Sequence, residues 1–280
     1  MLNIKKLSHR PQAFRRLCGL SPQQFQSLIN QLEPRWELAQ YQRQAWLGRQ
    51  RVIGGGRTRK LTLDQSLFML LVYYRTYANH LFMGMVMGLD DSNVGRYFKR
   101  LEPVLAQVFK IPQRTVRLSP DEIKTLIVDA TEQETQKRLG TGYSGKRQRQ
   151  TLKTQVVVNQ QGVVKTVSRS IAGNVHDKKL YDRTRLYVRA PAGSQRLKFK
   201  ADLGYLGTTG DLPVRKPLHR PLMMHERYFN RQHAKVRIII EHVFAHLKQS
   251  RILQDRYRNP VNRYNLTFRN VCGLRNLAMS

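Results

Sequence analysis

A chain of 280 residues with a hydrophobic fraction of 40% is long and apolar enough for one or two domains with a real core. Fifty Lys and Arg residues against eighteen Asp and Glu residues give a net charge of +32, which attracts polyanions without specifying an activity. Two cysteines exclude a disulfide framework, and the longest apolar runs, 67–74 and 81–89, are shorter than the roughly 20 residues of a membrane span.

The N-terminal segment is predicted to form helices that end in a basic linker. Ser21 and Gln24 form a capping box, and the apolar residues that follow them have helical spacing. Pro34 predicts the end of this helix, and a second, weaker helix is expected at 36–47. Three glycines and four basic residues within 51–60 break the periodicity and predict a flexible basic linker.

Three more helices are predicted before about residue 118. A second capping box, Thr62 and Gln65, starts a strongly apolar helix. Asn79 starts a short helix, and Asp90 lies in the turn that begins the next one. Two helices joined by such a tight turn are typical of a helix-turn-helix.

The last of these helices carries the candidate DNA contacts. Its apolar face contains Val94, Tyr97, Phe98 and Leu101, and its opposite face contains Asn93, Arg96, Lys99 and Arg100. Asn93 can bind adenine, and Arg96 and Arg100 can bind guanine, or all three can hold phosphates. The alternative is an ordinary surface helix with solvated charges.

The second half of the chain predicts a mixed sheet. Strands are expected at 123–128, 154–159, 163–171 and 197–201, with a hairpin turn at 160–162 and a long helix at 225–249. Strands, a hairpin and a late helix indicate helices packed on a sheet, which is an α/β layer architecture.

Three acidic residues lie where solvated carboxylates are not expected. Asp129 and Asp202 each follow a predicted strand, and Glu241 comes directly after three isoleucines. Helical periodicity places Arg237, Glu241 and Lys248 along one edge of the apolar face of their helix. Converging carboxylates repel one another unless cations lie between them, and oxygen ligands select magnesium or manganese.

Each of these acids also has an ordinary explanation. Asp129 and Asp202 are good turn residues, and Arg237 and Glu241 have the spacing of a simple ion pair on a helix. The residues alone leave both interpretations open.

Seven motifs, in order along the chain, resemble the DDE transposases of bacterial insertion sequences. The resemblance is to the branch that shares its catalytic domain with eukaryotic Harbinger-type transposases, and it extends from about residue 60 to the C-terminus. The motifs are Asp129-Ala130-Thr131-Glu132, 143–147, 151–155, 173–177, 201–205, 237–242 and 251–258.

The resemblance implies a ribonuclease-H-like mixed sheet with flanking helices, preceded by an all-α helix-turn-helix domain. Asp129, Asp202 and Glu241 would then form the catalytic triad and hold two magnesium ions, with manganese as a substitute. Arg237 and Lys248 would grip phosphates near the scissile bond. Ala234 stands where related transposases have a tyrosine, so no phosphate contact is expected there.

The resemblance also suggests roles for residues between the strands. The basic segment 137–153 would be a substrate-gripping loop or hairpin that contains Lys146, Arg147 and Lys153, unless it is only a solvated loop. His176 and Asp177 would orient a metal ligand, although Asp177 also fits a helix N-cap.

The sequence therefore predicts a transposase that binds the terminal inverted repeats of its element, cleaves the DNA and joins the 3′-hydroxyls to target DNA. It would act on double-stranded DNA in the cytoplasm, at the nucleoid and away from membranes, and as at least a dimer. The predicted domains are 1–60, 61–118 and 119–280. The alternatives are a domesticated, non-catalytic DNA-binding regulator and an RNA-associated basic protein.

Overall fold

The structure is a computed structural model that describes residues 4–45, 59–117, 125–136, 142–189, 198–208 and 210–279. Most of the predicted linker 51–60, the end of the helix predicted at 36–47, the start of the strand predicted at 123–128 and the first part of segment 137–153 lie outside these residues.

Contacts divide the chain into two compact units. The helical unit contains Met1–Lys110, Ser250–Ile252 and Leu266–Ser280, and the sheet unit contains Ile111–Gln249 and Leu253–Asn265. The sequence placed one domain border at about residue 118 and another near residue 60. In the structure, the first 110 residues belong to one unit, which also includes the C-terminal residues.

Both halves of the chain contain short and long helices. They are α1 (Ile4–Ser8), α2 (Pro11–Cys18), α3 (Pro22–Gln44), α4 (Leu63–Thr76), α5 (His80–Met87), α6 (Asp91–Phe109), α7 (Asp177–Thr184), α8 (Met224–Lys248), α9 (Arg251–Gln254) and α10 (Val261–Met279). None of the helices in the described ranges is both long and apolar enough to cross a lipid bilayer.

The helix α3 continues through Pro34, so the prediction that it ends there is wrong. Proline removes one helical hydrogen bond, because it has no backbone N–H. The buried side chains of Leu32 and Trp36 continue the apolar stripe across the proline. Burial of this stripe offsets the lost bond, and the two helices predicted in this region form one helix.

The predicted start signals of the later helices are confirmed. Ser21 and Thr62 cap their helices through the expected capping boxes, and the side chain of Asn79 caps α5. Gly88 ends α5 in a left-handed conformation at φ 67°, which glycine adopts without strain. The chain then turns directly into α6, whose predicted apolar face contains the buried side chain of Phe98.

A buried polar cluster joins α4, α6 and α10 within the helical unit. The Glu102 carboxylate is 1% exposed and accepts hydrogen bonds from the Tyr74 and Thr267 hydroxyls at 3.0 and 3.4 Å. The Asn270 amide donates to the Tyr74 hydroxyl oxygen at 3.2 Å and to the Glu102 carbonyl at 3.0 Å. Buried polar groups need such partners, so this cluster fixes how the three helices pack.

The sheet unit is built on a mixed sheet in which β2 and β4 are the long central strands. The strands are β1 (Thr115–Arg117), β2 (Thr125–Glu134), β3 (Tyr143–Ser144), β4 (Arg149–Val158), β5 (Val164–Val167), β6 (Ile171–Ala172), β7 (Tyr187–Arg189) and β8 (Lys198–Lys200). The main sheet has the order β3-β4-β2-β8, and β5 and β6 pair with β4. The strands β1 and β7 form a separate parallel pair.

The strand β2 pairs antiparallel with β4 and parallel with β8. Leu126 and Val128 of β2 form an apolar cluster with Val157 of β4 and with Tyr205, which follows Asp202. A long antiparallel pair of strands with a parallel strand at the other edge of β2, and with helices packed on the sheet, is the ribonuclease-H-like α/β fold that the resemblance implied.

Asp129 lies in the middle of β2, and the prediction that the strand ends there is wrong. The ladder with β4 continues for five more residues, to the pair Glu134–Thr151. The hydrophobic run ends at Val128, but backbone pairing does not depend on side-chain polarity. The strand therefore extends beyond its apolar part.

The tight turn between α5 and α6 gives a stability prediction. A Cβ on Gly84 would collide with the backbone carbonyl of Leu89, whereas a Cβ on Gly95 would lie at an ordinary 3.5 Å from the His80 ring. We expect G84A to lower the free energy of unfolding by about 1–3 kcal/mol, because it overpacks the turn. G95A is expected to leave it unchanged or raise it by up to about 1 kcal/mol.

Urea denaturation of both variants measures this difference. Equal stabilities for G84A and G95A would contradict the close approach of the turn to α5.

Candidate active site

Two aspartates from neighbouring strands lie close together at the sheet. Asp129 is in β2, and Asp202 follows β8, which pairs with β2 in parallel. The backbone N–H of Ala130 donates to Asp129 Oδ1 and that of Leu203 donates to Asp202 Oδ1, both at 2.7 Å. These bonds hold both carboxylates against their own backbone.

Arg237 of α8 reaches both aspartates. Its guanidinium nitrogens lie 3.6 Å from Asp129 Oδ2 and 3.4 Å from Asp202 Oδ1. Both distances exceed those of good N–H···O hydrogen bonds, so the contacts are mainly interactions between charges. The sequence predicted that Arg237 holds phosphates, and in the structure its cation is shared by the two carboxylates.

Burial of Asp129 disfavours its charged form. Desolvation, together with the smaller effect of the negative charges of Asp202 and Asp177, raises the pKa of Asp129 to about 6. The backbone N–H of Ala130 and the charge of Arg237 act in the opposite direction. Asp177 therefore lies close enough to Asp129 to affect its ionisation.

Glu241 lies one helical turn after Arg237 on α8, and its side chain is exposed. Within the described part of the chain it makes no ion pair with Arg237 and no hydrogen bond with either aspartate. The described ranges also contain no group of three acidic, His or Cys side chains arranged as metal ligands. The third position of the triad stays a prediction.

The Asp129–Asp202 pair suits a divalent cation. Both side chains offer hard oxygen donors, and their mutual repulsion is relieved by a positive charge between them. Arg237 already places such a charge at this position. The residues present therefore fit the divalent metal that the resemblance implies.

Two predicted DNA contacts from separate segments meet in one pocket. Arg147, from the turn between β3 and β4, and Lys248, from the end of α8, line a pocket of about 410 Å³ with Arg149. Burial lowers the pKa of Lys248, and the nearby charge of Arg147 lowers it further. The lining also contains Glu132 and Glu134, and Arg149 pairs with Glu134 at 2.8 Å. The three cations outnumber these two acids and favour an anion, and Lys146 is exposed in the same turn.

Lys153, a third predicted DNA contact in this region, is buried. Its ammonium lies 3.2 Å from Glu132 Oε1 and 3.0 Å from Asp177 Oδ1, and it donates to the Val175 carbonyl at 2.8 Å. No role was predicted for Glu132. The signal for it was the acid at the end of the motif 129–132, but only the pairing register shows that Glu132 lies opposite Lys153.

His176 and Asp177 lie at the start of α7. His176 is the N-cap residue, its side chain is exposed and it makes no capping hydrogen bond, and Asp177 is in the first turn. Asp177 packs beside the turn that follows Asp202, because a Cβ on Gly204 would lie 2.8 Å from Asp177 Oδ2. The predicted role of these two residues in orienting a ligand stays a prediction.

The candidate contacts of the helix-turn-helix lie on the first part of α6. Arg96 and Arg100 are exposed, and the Asn93 side chain is half-buried. Asn93 donates to Asp90 Oδ2 at 3.2 Å and accepts from Arg96 at 3.1 Å. Burial and the charges of Arg43 and Arg96 lower the pKa of Arg100, so this residue lies among other cations.

Replacing Asp129 with Asn is expected to stabilise the metal-free protein above about pH 6. An unfolded Asp titrates near pH 3.9, so the folded wild-type protein binds more protons than the unfolded chain between about pH 4 and 6. Its stability relative to D129N therefore falls as the pH rises through this window, by about 1–3 kcal/mol.

Urea denaturation in EDTA across this range measures the difference. D182N, which changes an exposed Asp on α7, is the control. A wild-type pH profile parallel to that of D129N would contradict the raised pKa.

Comparison with known proteins agrees with this geometry. A family model described as "DDE superfamily endonuclease" matches residues 128–276, and one described as "Helix-turn-helix of DDE superfamily endonuclease" matches residues 59–111. No solved structure matches the chain significantly.

Two curated relatives are named as transposases. The chain is 29% identical over 239 residues to one for insertion sequence element IS702 of Microchaete diplosiphon, with 80% of this chain and 84% of the relative covered. It is 30% identical over 239 residues to one for IS112 of Streptomyces albus G, with 85% and 84% covered. The chain belongs to the DDE superfamily of endonucleases, with the helix-turn-helix that this family carries.

Proposed function

We propose that this DDE transposase of the insertion-sequence type cleaves DNA at the ends of its own element and joins the freed 3′-hydroxyls to target DNA. Asp129 and Asp202 would hold two magnesium ions, for which manganese could substitute, and Glu241 would complete the site. The observation that carries the proposal is the pair of aspartates on adjacent strands, both of which lie beside the Arg237 guanidinium. The chain that contains this pair is an endonuclease of the DDE superfamily.

When bound, divalent cations activate a hydroxyl nucleophile and stabilise the charge that develops on the phosphate. The protein supplies the carboxylates that hold them, and Arg237 offsets the negative charge of the aspartates. The first nucleophile is water and the second is a DNA 3′-hydroxyl. This chemistry needs no covalent bond between protein and DNA, so no Ser or Tyr nucleophile is required.

Cationic side chains would hold the DNA on both units. In the sheet unit, Lys146, Arg147 and Lys248 would bind phosphates, which is supported by the pocket shared by Arg147 and Lys248. In the helical unit, Arg96 and Arg100 would contact the terminal inverted repeats from α6. Because the reaction joins two DNA ends to one target, we expect at least a dimer on DNA, acting on the chromosome in the cytoplasm.

We assign the domains of the proposed transposase the borders that the sequence predicted. Residues 61–118 would recognise the element ends and residues 119–280 would carry out catalysis, with residues 1–60 in front of both. The match of the helix-turn-helix model to residues 59–111 supports the first of these borders.

Substitution of the acids tests the catalytic assignment. We expect D129N, D202N and E241Q each to lower cleavage of a duplex with element ends by about 10²–10³-fold or more, since metal-assisted stabilisation contributes several kcal/mol. Gel assays with Mg²⁺ measure the product. D182N should cleave like the wild-type protein, and undiminished cleavage by D129N or D202N would refute the site.

Substitutions on α6 test recognition of the element ends. We expect R96A or R100A to weaken binding to end DNA by about 1–3 kcal/mol if the side chain contacts a base. Loss of a phosphate contact would instead weaken binding to all sequences equally. It would also reduce the slope of log K against log salt concentration by about one. Fluorescence anisotropy on end and random duplexes distinguishes these results, with the exposed Arg16 on α2 changed to Ala as the control. Wild-type affinities for both variants would make α6 an ordinary surface helix.

A further inference from the structure

The strands β2 and β4 carry a buried ion cluster beside the aspartate pair. Glu132 and Lys153 lie directly opposite each other in the ladder between these strands, and Asp177 joins them from the start of α7. The side chains of Lys153 and Glu132 are 9% and 11% exposed, and that of Asp177 is 32% exposed. Burying charged groups is costly, so a cluster of this kind needs a reason.

The charge of the Lys153 ammonium is already neutralised inside the protein. It pairs with the carboxylates of Glu132 and Asp177 and donates a hydrogen bond to the Val175 carbonyl, so that three oxygens lie within 3.2 Å of it. Its side chain is almost fully buried, so little of it is accessible to a DNA backbone. A phosphate contact is therefore a poor explanation for this side chain.

Glu132 is held in its charged form by donors around it. The Thr151 hydroxyl donates to Glu132 Oε2 at 3.1 Å, and Ser144 and Lys153 also contribute hydrogen bonds. Together these donors outweigh the effect of burial and lower the pKa of Glu132. The carboxylate thus fixes one side of the Lys153 ammonium to the sheet.

Lys153 also binds the segment that leads into α7. Lys153 bonds to the Val175 carbonyl and pairs with Asp177. The backbone N–H of Gly173 also donates to the Thr151 carbonyl at 2.9 Å, and a Cβ at Gly173 would collide with the Thr151 hydroxyl. This segment therefore lies directly against β4.

Asp177 in turn packs against the turn that follows Asp202. A Cβ on Gly204, two residues after Asp202, would lie 2.8 Å from Asp177 Oδ2, so the two segments are in close contact. The charge of Asp177 also acts on Asp129. The cluster thus touches the surroundings of both aspartates without including either.

We propose that Lys153 is a positioning residue: by bridging Glu132 and Asp177 it fixes the start of α7 against the Gly204 turn, so that Asp202 faces Asp129. The proposal rests on the metal site assigned to these aspartates above. It gives Lys153 a structural link to cation binding and removes it from the DNA contacts.

The test is Mn²⁺ binding by the full-length, DNA-free chain, measured by electron paramagnetic resonance. We expect K153M and D177N to weaken Mn²⁺ binding by about 10–100-fold, as substitution of residues that orient metal ligands does. K179M and D182N make the same changes at exposed positions of α7 and should bind Mn²⁺ like the wild-type protein.

DNA affinity separates positioning from phosphate binding. We expect K153M to bind end DNA in EDTA with the wild-type affinity and salt dependence, and to need more Mn²⁺ for half-maximal cleavage without a change in KM for DNA. Weaker DNA binding with a smaller salt dependence and unchanged Mn²⁺ binding would overturn the proposal and make Lys153 a phosphate contact.

Two further variants test the same proposal if K153M fails to fold. The double variant E132Q/K153M removes one of the two charges left unpaired, and G204A keeps all three charged groups but crowds Asp177. Both should show weakened Mn²⁺ binding with unchanged DNA affinity. Mn²⁺ binding like that of the wild-type protein in these folded variants would overturn the proposal.

Cleavage by D129N distinguishes failure of the catalytic assignment from failure of the positioning role of Lys153. If D129N still cleaves DNA, the catalytic assignment fails regardless of Lys153. If D129N is inactive while K153M binds Mn²⁺ and cleaves like K179M, only the positioning role of Lys153 fails.

Discussion

Repulsion between carboxylates near the sheet is the constraint on which the sheet unit depends. Asp129, Asp202 and Asp177 lie close enough that each of the other two raises the pKa of Asp129. Such an arrangement is stable only when positive charge is placed among the acids. In the structure Arg237 supplies part of this charge, and a divalent cation suits the same place.

A second cation serves the part of the fold around the aspartates. Lys153 joins β4 to the start of α7 through its two carboxylate partners. Positive charge is thus used in two ways. Lys153 and Arg237 lie inside the sheet unit, where they balance the acids, whereas Lys146 and Arg147 are exposed, as the proposed binding of DNA phosphates requires.

In the helical unit, the apolar face of α6 packs in the core while its opposite, polar face carries the candidate DNA contacts. The Glu102 cluster ties α6 to α4 and α10, and the close turn at Gly84 fixes α5 against the start of α6. The candidate contacts on α6 are therefore displayed by a rigid base. Rigidity of this kind favours specific recognition, since little conformational entropy is lost on binding.

Local signals in the sequence determined the starts of α3, α4, α5, α6 and α8, the hairpin, the α/β class and the identity of the acidic candidates, because capping, turn chemistry and hydrophobic periodicity act between near neighbours. They did not predict α1, α2, α9 or α10. They gave the wrong ends for α3 at Pro34 and for the strand that contains Asp129, where distant packing and strand pairing overrule local preference. Only the tertiary structure decided that Lys153 is buried between Glu132 and Asp177, because register and burial depend on residues far apart in the chain.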